Sequence, residues 1–220
     1  LQDLLASQPG LDLSGKTLLL DCANGAAYEV APELFKRLGA RVLALNTAPD
    51  GLNINERAGS EHLRADPSGF GSQVREAGAD LGMAFDGDAD RVIFVDENGR
   101  MVDGDHMLAI LADFLLARGE LLGETLVTTT MANGALAGYC TQKGIRLIET
   151  PVGDKYITGE LLRLSLAQDA PGKLGLGGEQ SGHIILLDEN HRTGDGIRTA
   201  LFMLRVLAES GWRPLSALTG

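Results

Sequence analysis

Three aspartates at alternate positions form the most chemically specific stretch of this 220-residue sequence. Asp86, Asp88 and Asp90 lie in the segment Phe-Asp-Gly-Asp-Ala-Asp-Arg at 85–91, which separates two apolar runs and is called the aspartate loop below. Three carboxylates that are held together repel one another strongly unless a positive group joins them. A hard divalent cation prefers oxygen ligands of this kind. The spacing therefore predicts a metal-binding loop.

A second polar segment, Gly-Gly-Glu-Gln-Ser-Gly-His at 177–183, also interrupts apolar sequence and is called the glutamate loop. Its side chains that could bind or react are those of Glu179, Ser181 and His183. Each of the two segments reads as a polar loop between two strands, and binding residues concentrate in such loops. We therefore expect the functional residues of the chain in these two places.

Three other interpretations of the aspartate loop are open at this stage. An EF-hand would use the three aspartates and Glu97, but it wants glycine where Arg91 stands and helices rather than strands on either side. A haloacid-dehalogenase-like phosphatase would use Asp86 as nucleophile and Asp88 as acid and base, but its nucleophile belongs on the first strand of the sheet. A solvated acidic turn would explain neither the three converging carboxylates nor the adjacent arginine. Metal binding is the interpretation we prefer.

The elements that must position the two loops occur twice in the sequence. Residues 18–26 return as residues 126–135, in each case as a strand, a turn around Asn-Gly and the start of a helix. Residues 91–98 correspond to residues 183–190, so the two polar loops stand at equivalent positions. The repeat predicts two copies of one α/β unit.

We expect two tandem homologous α/β domains, residues 1–104 and 105–220, with mixed sheets flanked by helices. The apolar runs behind the two loops should each add an antiparallel strand. Helices are predicted at 72–77, 107–117, 155–167 and 197–208.

Composition excludes several classes of partner. The sequence has 19 basic and 30 acidic residues, a formal net charge of -11, and no basic cluster that could follow a phosphate backbone. Nucleic acid is therefore not an expected partner. No apolar run is long enough to cross a membrane, and the first residues lack the pattern of a signal peptide, so we expect a cytoplasmic protein without membrane contact. Because the chain begins without Met, we expect a fragment of a longer protein.

These motifs resemble the α-D-phosphohexomutases. The metal loop of that family reads Asp-Gly-Asp-(Gly/Ala)-Asp-Arg, as 86–91 does, and its sugar loop reads Gly-Glu-x-Ser-Gly-His, as 178–183 does. Within the family, the Gly-Leu-Asn-Ile-Asn stretch is similar to the branch that interconverts glucosamine 6-phosphate and glucosamine 1-phosphate. Further similar segments lie at 21–26, 51–55, 102–105, 152–156 and 193–196.

The resemblance implies a four-domain enzyme of which this chain is the second and third domains. The family carries a phosphorylated serine in its first domain and a loop that grips phosphate in its fourth, and neither motif occurs in this sequence. We therefore expect the longer protein to act on a phosphosugar through a phosphoserine and a bisphosphate intermediate, and the chain alone to be inactive. A non-catalytic module that binds a metal and recognises a sugar or a protein is the alternative.

The resemblance also implies roles for single residues. The three aspartates would bind Mg²⁺, and Arg91 would contact the transferred phosphate unless it only pairs with those aspartates. Glu179 and Ser181 would bind sugar hydroxyls. His183 would assist proton transfer, support Glu179 or serve only the fold. Lys155 opposes the dipole at its helix start, so a substrate or carboxylate partner is expected there.

Overall fold

The computed structural model describes residues 1–168 and 170–219, which divide into two compact α/β units. The first unit comprises Leu1–Val102 together with the described residues from Gly196 onward, and the second comprises Asp103–Asp195. Each contains a mixed sheet with helices packed against it. The predicted fold class, two α/β units with mixed sheets, is confirmed.

The first unit is built on a five-stranded sheet with the order β2-β1-β3-β4-β5. Its strands are β1 (Thr17–Asp21), β2 (Arg41–Leu45), β3 (Leu81–Phe85), β4 (Val92–Val95) and β5 (Met101–Val102). β1 pairs in parallel with β2 and β3, whereas β3–β4 and β4–β5 are antiparallel. Every residue of β3 and β4 is buried, which explains their unbroken apolar sequences.

The helices of the first unit are α1 (Gln2–Ser7), α2 (Ala27–Arg37), α3 (Gly59–Ala65), α4 (Pro67–Glu76) and α8 (Gly196–Glu209), followed by a 3₁₀ turn at Leu215–Ala217. α4 begins earlier than the predicted residue 72 because Asp66 caps it, accepting a hydrogen bond from the Ser68 amide, and Pro67 suits the first helical position. α8 packs against β4.

The second unit has a four-stranded sheet with the order β7-β6-β8-β9. Its strands are β6 (Leu121–Thr129), β7 (Arg146–Thr150), β8 (Leu174–Gly178) and β9 (Ile184–Leu187). β6 lies in parallel between β7 and β8, and β9 adds the predicted antiparallel strand. The pairing of β6 with β8 shifts register between Leu121 and Leu126, where Gly123 and Glu124 have positive φ angles of 56° and 50°.

In its described residues, the second unit contains the helices α5 (Gly104–Ala117), α6 (Gly134–Lys143) and α7 (Asp154–Ala167). Gly144 caps the end of α6 in the left-handed conformation, which glycine adopts without strain. One apolar cluster joins α7 to the sheet through Val127, Ile157, Leu161 and Ile185. Across the described ranges, no helix combines the length and apolar character needed to cross a membrane.

The division by packing and the predicted domain boundary differ in α8 and in the 3₁₀ turn that follows it. α8 follows the second unit in the chain but packs with the first, whereas the predicted domains of 1–104 and 105–220 assign it to the second. α5 also packs with a different unit from the element before it, since it follows β5 of the first unit and packs against β6 and β8 of the second. The domain boundary near residue 104 stays a prediction. Because α8 packs with the first unit, we expect residues 1–102 to need it in order to fold.

Candidate metal loop and sugar loop

The aspartate loop connects β3 to β4 and brings its three carboxylates together. Asp86, Asp88 and Asp90 each offer an oxygen, and these oxygens lie within 4.8 Å of one another. Asp86 is buried at the end of β3, Asp88 is exposed and Asp90 is half-buried. Oxygen ligands from several carboxylates at such separations suit a hard divalent cation.

The electrostatics of the cluster favour a bound cation. Burial, the hydrogen bond with Asp90 and the nearby charges of Asp90 and Asp88 raise the pKa of Asp86 to about 7, although the Arg91 amide stabilises its charged form. A raised carboxyl pKa means that the ionised cluster is unfavourable by itself. A divalent cation bound to the three carboxylates would offset both the cost of burying the charge of Asp86 and its repulsion by Asp88 and Asp90, so the three aspartates fit Mg²⁺.

Backbone hydrogen bonds from two helix starts hold the aspartate loop in place. The Ala26 amide, just before α2, donates to the Gly87 carbonyl at 2.7 Å, and the Gly196 amide at the start of α8 donates to the Ala89 carbonyl at 2.8 Å. Gly25 is required here, because a Cβ atom at this position would lie 2.2 Å from the Gly87 oxygen. The Asn-Gly turn after β1, which the sequence explains as ordinary turn chemistry, thus also supports the loop.

Sequence reasoning missed Asp21, the buried carboxylate at the end of β1. Its Oδ1 accepts hydrogen bonds from the Ala23 amide at 2.9 Å and from Asn46 Nδ2 at 2.8 Å, and its Oδ2 accepts one from the Gly59 amide at 2.9 Å. Asp21 therefore joins the turn after β1 to the start of α3. An aspartate that ends an apolar strand was the signal that could have identified it.

Arg91 follows the cluster and contacts carboxylates on two sides. Its Nη1 donates to Glu61 Oε1 at 2.9 Å, while its Nε lies 4.0 Å from Asp86 Oδ2 and 3.8 Å from Asp90 Oδ1. Burial alone would lower the pKa of Arg91, but the charges of Asp90, Asp86 and Glu61 outweigh it and raise that pKa. Arg91 Nε thus lies within ion-pair distance of its own aspartates but donates no hydrogen bond to them at 3.8 and 4.0 Å, and Glu61 is a closer partner that the sequence did not indicate.

The glutamate loop connects β8 to β9 and turns its carboxylate toward the start of α7. Glu179 Oε1 accepts a hydrogen bond from the Gly153 amide at 3.2 Å, and Glu179 Oε2 lies 3.4 Å from Ser181 Oγ. Lys155, two residues beyond Gly153, is exposed, and its Nζ lies 4.9 Å from the centre of the Tyr156 ring. Glu179 and Ser181 thus lie together, and Lys155 is on the segment that Glu179 contacts.

His183 lies inside the second unit. Its side chain is only 4% exposed and packs against Gly194, where a Cβ atom would lie 2.4 Å from His183 Nε2. The backbone carbonyl of His183 accepts a hydrogen bond from the Glu179 amide at 3.0 Å. This hydrogen bond involves only the backbone, so proton transfer, support of Glu179 and a purely structural role all stay predictions for the His183 side chain.

The start of α5 holds the glutamate loop from the other side. The Gly104 amide donates to the Gln180 carbonyl at 3.0 Å, and a Cβ atom on Gly104 would lie 2.0 Å from the Glu179 carbonyl oxygen. Asp103 caps α5 by accepting from the His106 amide, and its Oδ1 lies 2.6 Å from His106 Nδ1. A helix start therefore fixes each of the two loops.

The position of the aspartate loop in the fold bears on two of the three other interpretations, the EF-hand and the phosphatase. Strands β3 and β4, not helices, flank the aspartate loop, so it is not an EF-hand. The loop follows the third strand of the first unit in chain order, and a haloacid-dehalogenase-like phosphatase would carry its nucleophile on the first. Both alternatives therefore lose their structural support.

Comparison with protein families identifies both halves of the chain. Residues 6–99 match the family described as "Phosphoglucomutase/phosphomannomutase, alpha/beta/alpha domain II", and residues 103–220 match domain III of the same family. The matches therefore cover nearly the whole chain and follow the order of the two repeats.

Similar proteins agree with this result. The chain is 51% identical to phosphoglucosamine mutases of Symbiobacterium thermophilum and Desulforudis audaxviator, matching 96% and 94% of this chain. It spans 44% and 43% of the length of these relatives.

Among solved structures, a phosphoglucomutase/phosphomannomutase family protein of Burkholderia thailandensis superimposes with a TM-score of 0.77 at 27% identity, over 94% of this chain and 43% of that one. An N-acetylphosphoglucosamine mutase of Aspergillus fumigatus shares the fold, with a TM-score of 0.71 at 21% identity over 96% of this chain and 50% of that one. From the two domain matches and these likenesses, the chain belongs to the phosphoglucomutase/phosphomannomutase family.

Proposed function

We propose that this chain is the metal-binding and sugar-binding middle part of an enzyme that interconverts glucosamine 6-phosphate and glucosamine 1-phosphate. The convergence of three carboxylates within 4.8 Å carries the proposal, because phosphoryl transfer requires neutralisation of charge. Two relatives that are 51% identical bear the name phosphoglucosamine mutase, which supports the substrate. The Aspergillus enzyme is described in complex with GlcNAc-6P and magnesium.

In the proposed reaction, a phosphoserine elsewhere in the longer protein gives its phosphoryl group to one sugar hydroxyl. The O–P bond to serine breaks as the new O–P bond to the sugar forms, and the bisphosphate then returns its other phosphoryl group to the serine. The family's serine and phosphate-gripping motifs do not occur in this sequence, so we expect the chain alone to be inactive. A cytoplasmic location and the absence of nucleic-acid partners stay predictions from composition.

The aspartate loop would serve the transferred group. Mg²⁺ bound by Asp86, Asp88 and Asp90 would polarise the phosphoryl group as a Lewis acid. Arg91 would donate from its planar guanidinium to a phosphate oxygen, because charge-assisted bonds of this geometry recognise phosphate well. Its contact with Glu61 leaves Nε without a hydrogen bond among the described residues.

The glutamate loop would bind the sugar. Glu179 accepts from the Gly153 amide, and its remaining lone pairs can accept from sugar hydroxyls. Ser181 can both donate and accept, so the pair suits two adjacent hydroxyls. Lys155 is exposed and available to a substrate phosphate. His183 would support the loop from inside the unit.

Calorimetric titration with Mg²⁺ tests the metal part of this proposal. We expect saturable binding to the unmodified chain and loss of binding in Asp88→Asn, because this exposed ligand can be neutralised without disturbing the core. Asp3→Asn, which removes an acidic charge from α1, is the control and should bind Mg²⁺ normally. Equal Mg²⁺ affinity in Asp88→Asn and the unmodified chain would contradict the assignment.

Titration with glucosamine 1-phosphate in the presence of Mg²⁺ tests the sugar part. Any binding heat should be lost in Glu179→Gln and retained in Glu149→Gln, an exposed glutamate of β7 in the same unit. Metal binding without a Glu179-dependent sugar signal would favour the alternative of a non-catalytic metal-binding module.

A further inference from the structure

Glu61 is an exposed carboxylate in the first turn of α3, a helix with no predicted functional role. Its Oε1 accepts a hydrogen bond from Arg91 Nη1 at 2.9 Å, across thirty residues of sequence. Both its oxygens also accept from Arg64 Nη1 at 3.2 Å. Glu61 is therefore placed between an arginine of its own helix and the arginine of the aspartate loop.

Arg91 lies near both Glu61 and the three carboxylates of the aspartate loop. Its Nε lies about as close to Asp90, at 3.8 Å, as to Asp86, at 4.0 Å, and both distances exceed a hydrogen bond. The guanidinium thus attracts the same carboxylates that would bind a metal ion, but its Nε is too far from them for a hydrogen bond. A cation and Arg91 compete for the negative charge of this cluster.

The contact with Glu61 bears directly on this competition. The hydrogen bond between Nη1 and Glu61, at 2.9 Å, is shorter than either distance from Nε to the aspartates, so it engages the guanidinium with a carboxylate outside the cluster. Without it, the guanidinium would be free to move the remaining distance and form a close pair with Asp86 and Asp90. Such a pair would occupy oxygens that the cation needs.

We propose that Glu61 is a positioning residue that holds Arg91 back from the aspartate cluster and so keeps the carboxylates available to a divalent cation. The inference rests on the proposed function only in that it takes the three aspartates to be the metal site. Under this inference, Glu61 changes the affinity for the metal only by fixing the position of Arg91. Glu61 itself is not a metal ligand.

A negative charge near a metal site also raises cation affinity through its field alone, so the single variant Glu61→Gln is not decisive. A double-mutant cycle separates the two effects, because only the proposed one requires Arg91. The cycle comprises the unmodified chain, Glu61→Gln, Arg91→Gln and the double variant. Mg²⁺ affinity by calorimetry is the readout, and thermal unfolding of each metal-free variant checks the fold.

We expect Glu61→Gln to weaken Mg²⁺ binding about fivefold and Arg91→Gln to leave it unchanged or tighten it by roughly twofold, in line with couplings between neighbouring charges. In the Arg91→Gln background, Glu61→Gln should change the affinity by less than about twofold. Glu61→Asp should recover part of the loss, since it keeps the charge. Glu56→Gln removes an equal charge from the segment before α3 and should change little.

Two results would overturn the inference, and they are distinguishable. If Glu61→Gln weakens binding equally in the presence and absence of Arg91, Glu61 acts by its field and the inference is wrong while the metal site stands. If the unmodified chain binds no Mg²⁺, the metal assignment of the proposed function fails and the inference fails with it.

Discussion

Neighbouring residues of the aspartate loop have distinct environments and hence distinct tasks. Asp86 is buried at the end of β3, where the Arg91 amide donates to its Oδ1 at 3.1 Å, so its position is fixed by the fold. Asp88 is exposed two positions later and is free to adjust to a ligand. A cation would therefore meet one preset carboxylate and one adaptable carboxylate.

The pair formed by Asp103 and His106 makes stability depend on pH. The hydrogen bond to Asp103 raises the pKa of His106 above its ordinary value. Burial opposes ionisation of Asp103, but its bonds with His106 prevail and lower the pKa of that carboxyl. The pair therefore stabilises the fold fully between the ordinary pKa of the carboxyl, 3.8, and that of the imidazole, 6.5. This contribution is lost as the pH rises through the raised folded pKa of His106, and also as it falls through the lowered folded pKa of Asp103.

We predict that His106→Gln destabilises the chain more at pH 5.5 than at pH 8.5. The difference should be less than about 1 kcal/mol, because the ring is nearly half exposed and solvent screens the pair. Urea unfolding at the two pH values measures it. An equal loss of stability at both values would mean that the charge of His106 contributes nothing.

Single residues could be predicted from the sequence where their partners are close along the chain. The three aspartates fall within five positions, and their convergence follows from their spacing. Asp21 and Glu61 were missed because their partners lie far along the chain: Asp21 binds Gly59 across 38 residues and Glu61 binds Arg91 across 30. Only the folded sheet brings such pairs together.

At the scale of elements, the starts of two helices fix the two loops. The amides of Gly196 in α8 and Gly104 in α5 have no partner within their own helices, and each donates to a loop carbonyl. Both glycines also admit a backbone approach that a side chain would block. The loops therefore depend on helices that lie outside the strands they connect.

We predict that Gly196→Ala destabilises the first unit by about 1–3 kcal/mol and weakens its Mg²⁺ binding, because the new methyl group forces the backbone apart. Its Cβ would lie 2.5 Å from the Arg91 oxygen and 2.9 Å from the Ala89 oxygen. Gly69→Ala in α4 is the matched control, with nothing within 4 Å of the added atom. This control should be about 0.5–1 kcal/mol more stable, since alanine favours a helix.

Denaturant unfolding and Mg²⁺ titration of both variants measure these effects. Undiminished metal affinity in Gly196→Ala would show that the loop keeps its shape without the hydrogen bond to α8.

The elements followed from the sequence where apolar patterns were long and clear. β3, β4 and β9 are unbroken apolar runs and lie where predicted. The early part of β6 was missed because Gly123 and Glu124 interrupt its pattern with a bulge. α3 carries too few apolar residues to show a helical period, since only Leu63 of its larger side chains is buried.

At the scale of the whole molecule, the first unit is built from two separate stretches of the chain. The chain leaves the first unit after Val102, builds the second and contributes α8 to the first afterwards. The apolar face of α8 includes Ile197, Leu201 and Leu204, all buried. Sequence repeats could not reveal this, because the repeat describes the order of elements and not where they pack.

We predict that residues 103–195 fold alone and unfold cooperatively, whereas residues 1–102 alone do not, because their sheet lacks α8. Adding a peptide of residues 196–219 to the shorter chain should restore part of its structure. Circular dichroism during thermal unfolding of each piece is the measurement. If residues 105–220 unfold cooperatively and residues 103–195 do not, α8 serves the second unit, as the predicted domain boundary assumes.

Because α8 packs with the first unit but is translated after the second, the first unit can be completed only late in synthesis on the ribosome. The aspartate loop is translated early, but the amide that binds its Ala89 carbonyl belongs to a residue translated after the whole of Asp103–Asp195. At ordinary elongation rates those residues take roughly 5–20 s to make. During that interval the aspartate loop lacks its hydrogen bond from α8, so the proposed metal site would be completed only after the second unit has been made.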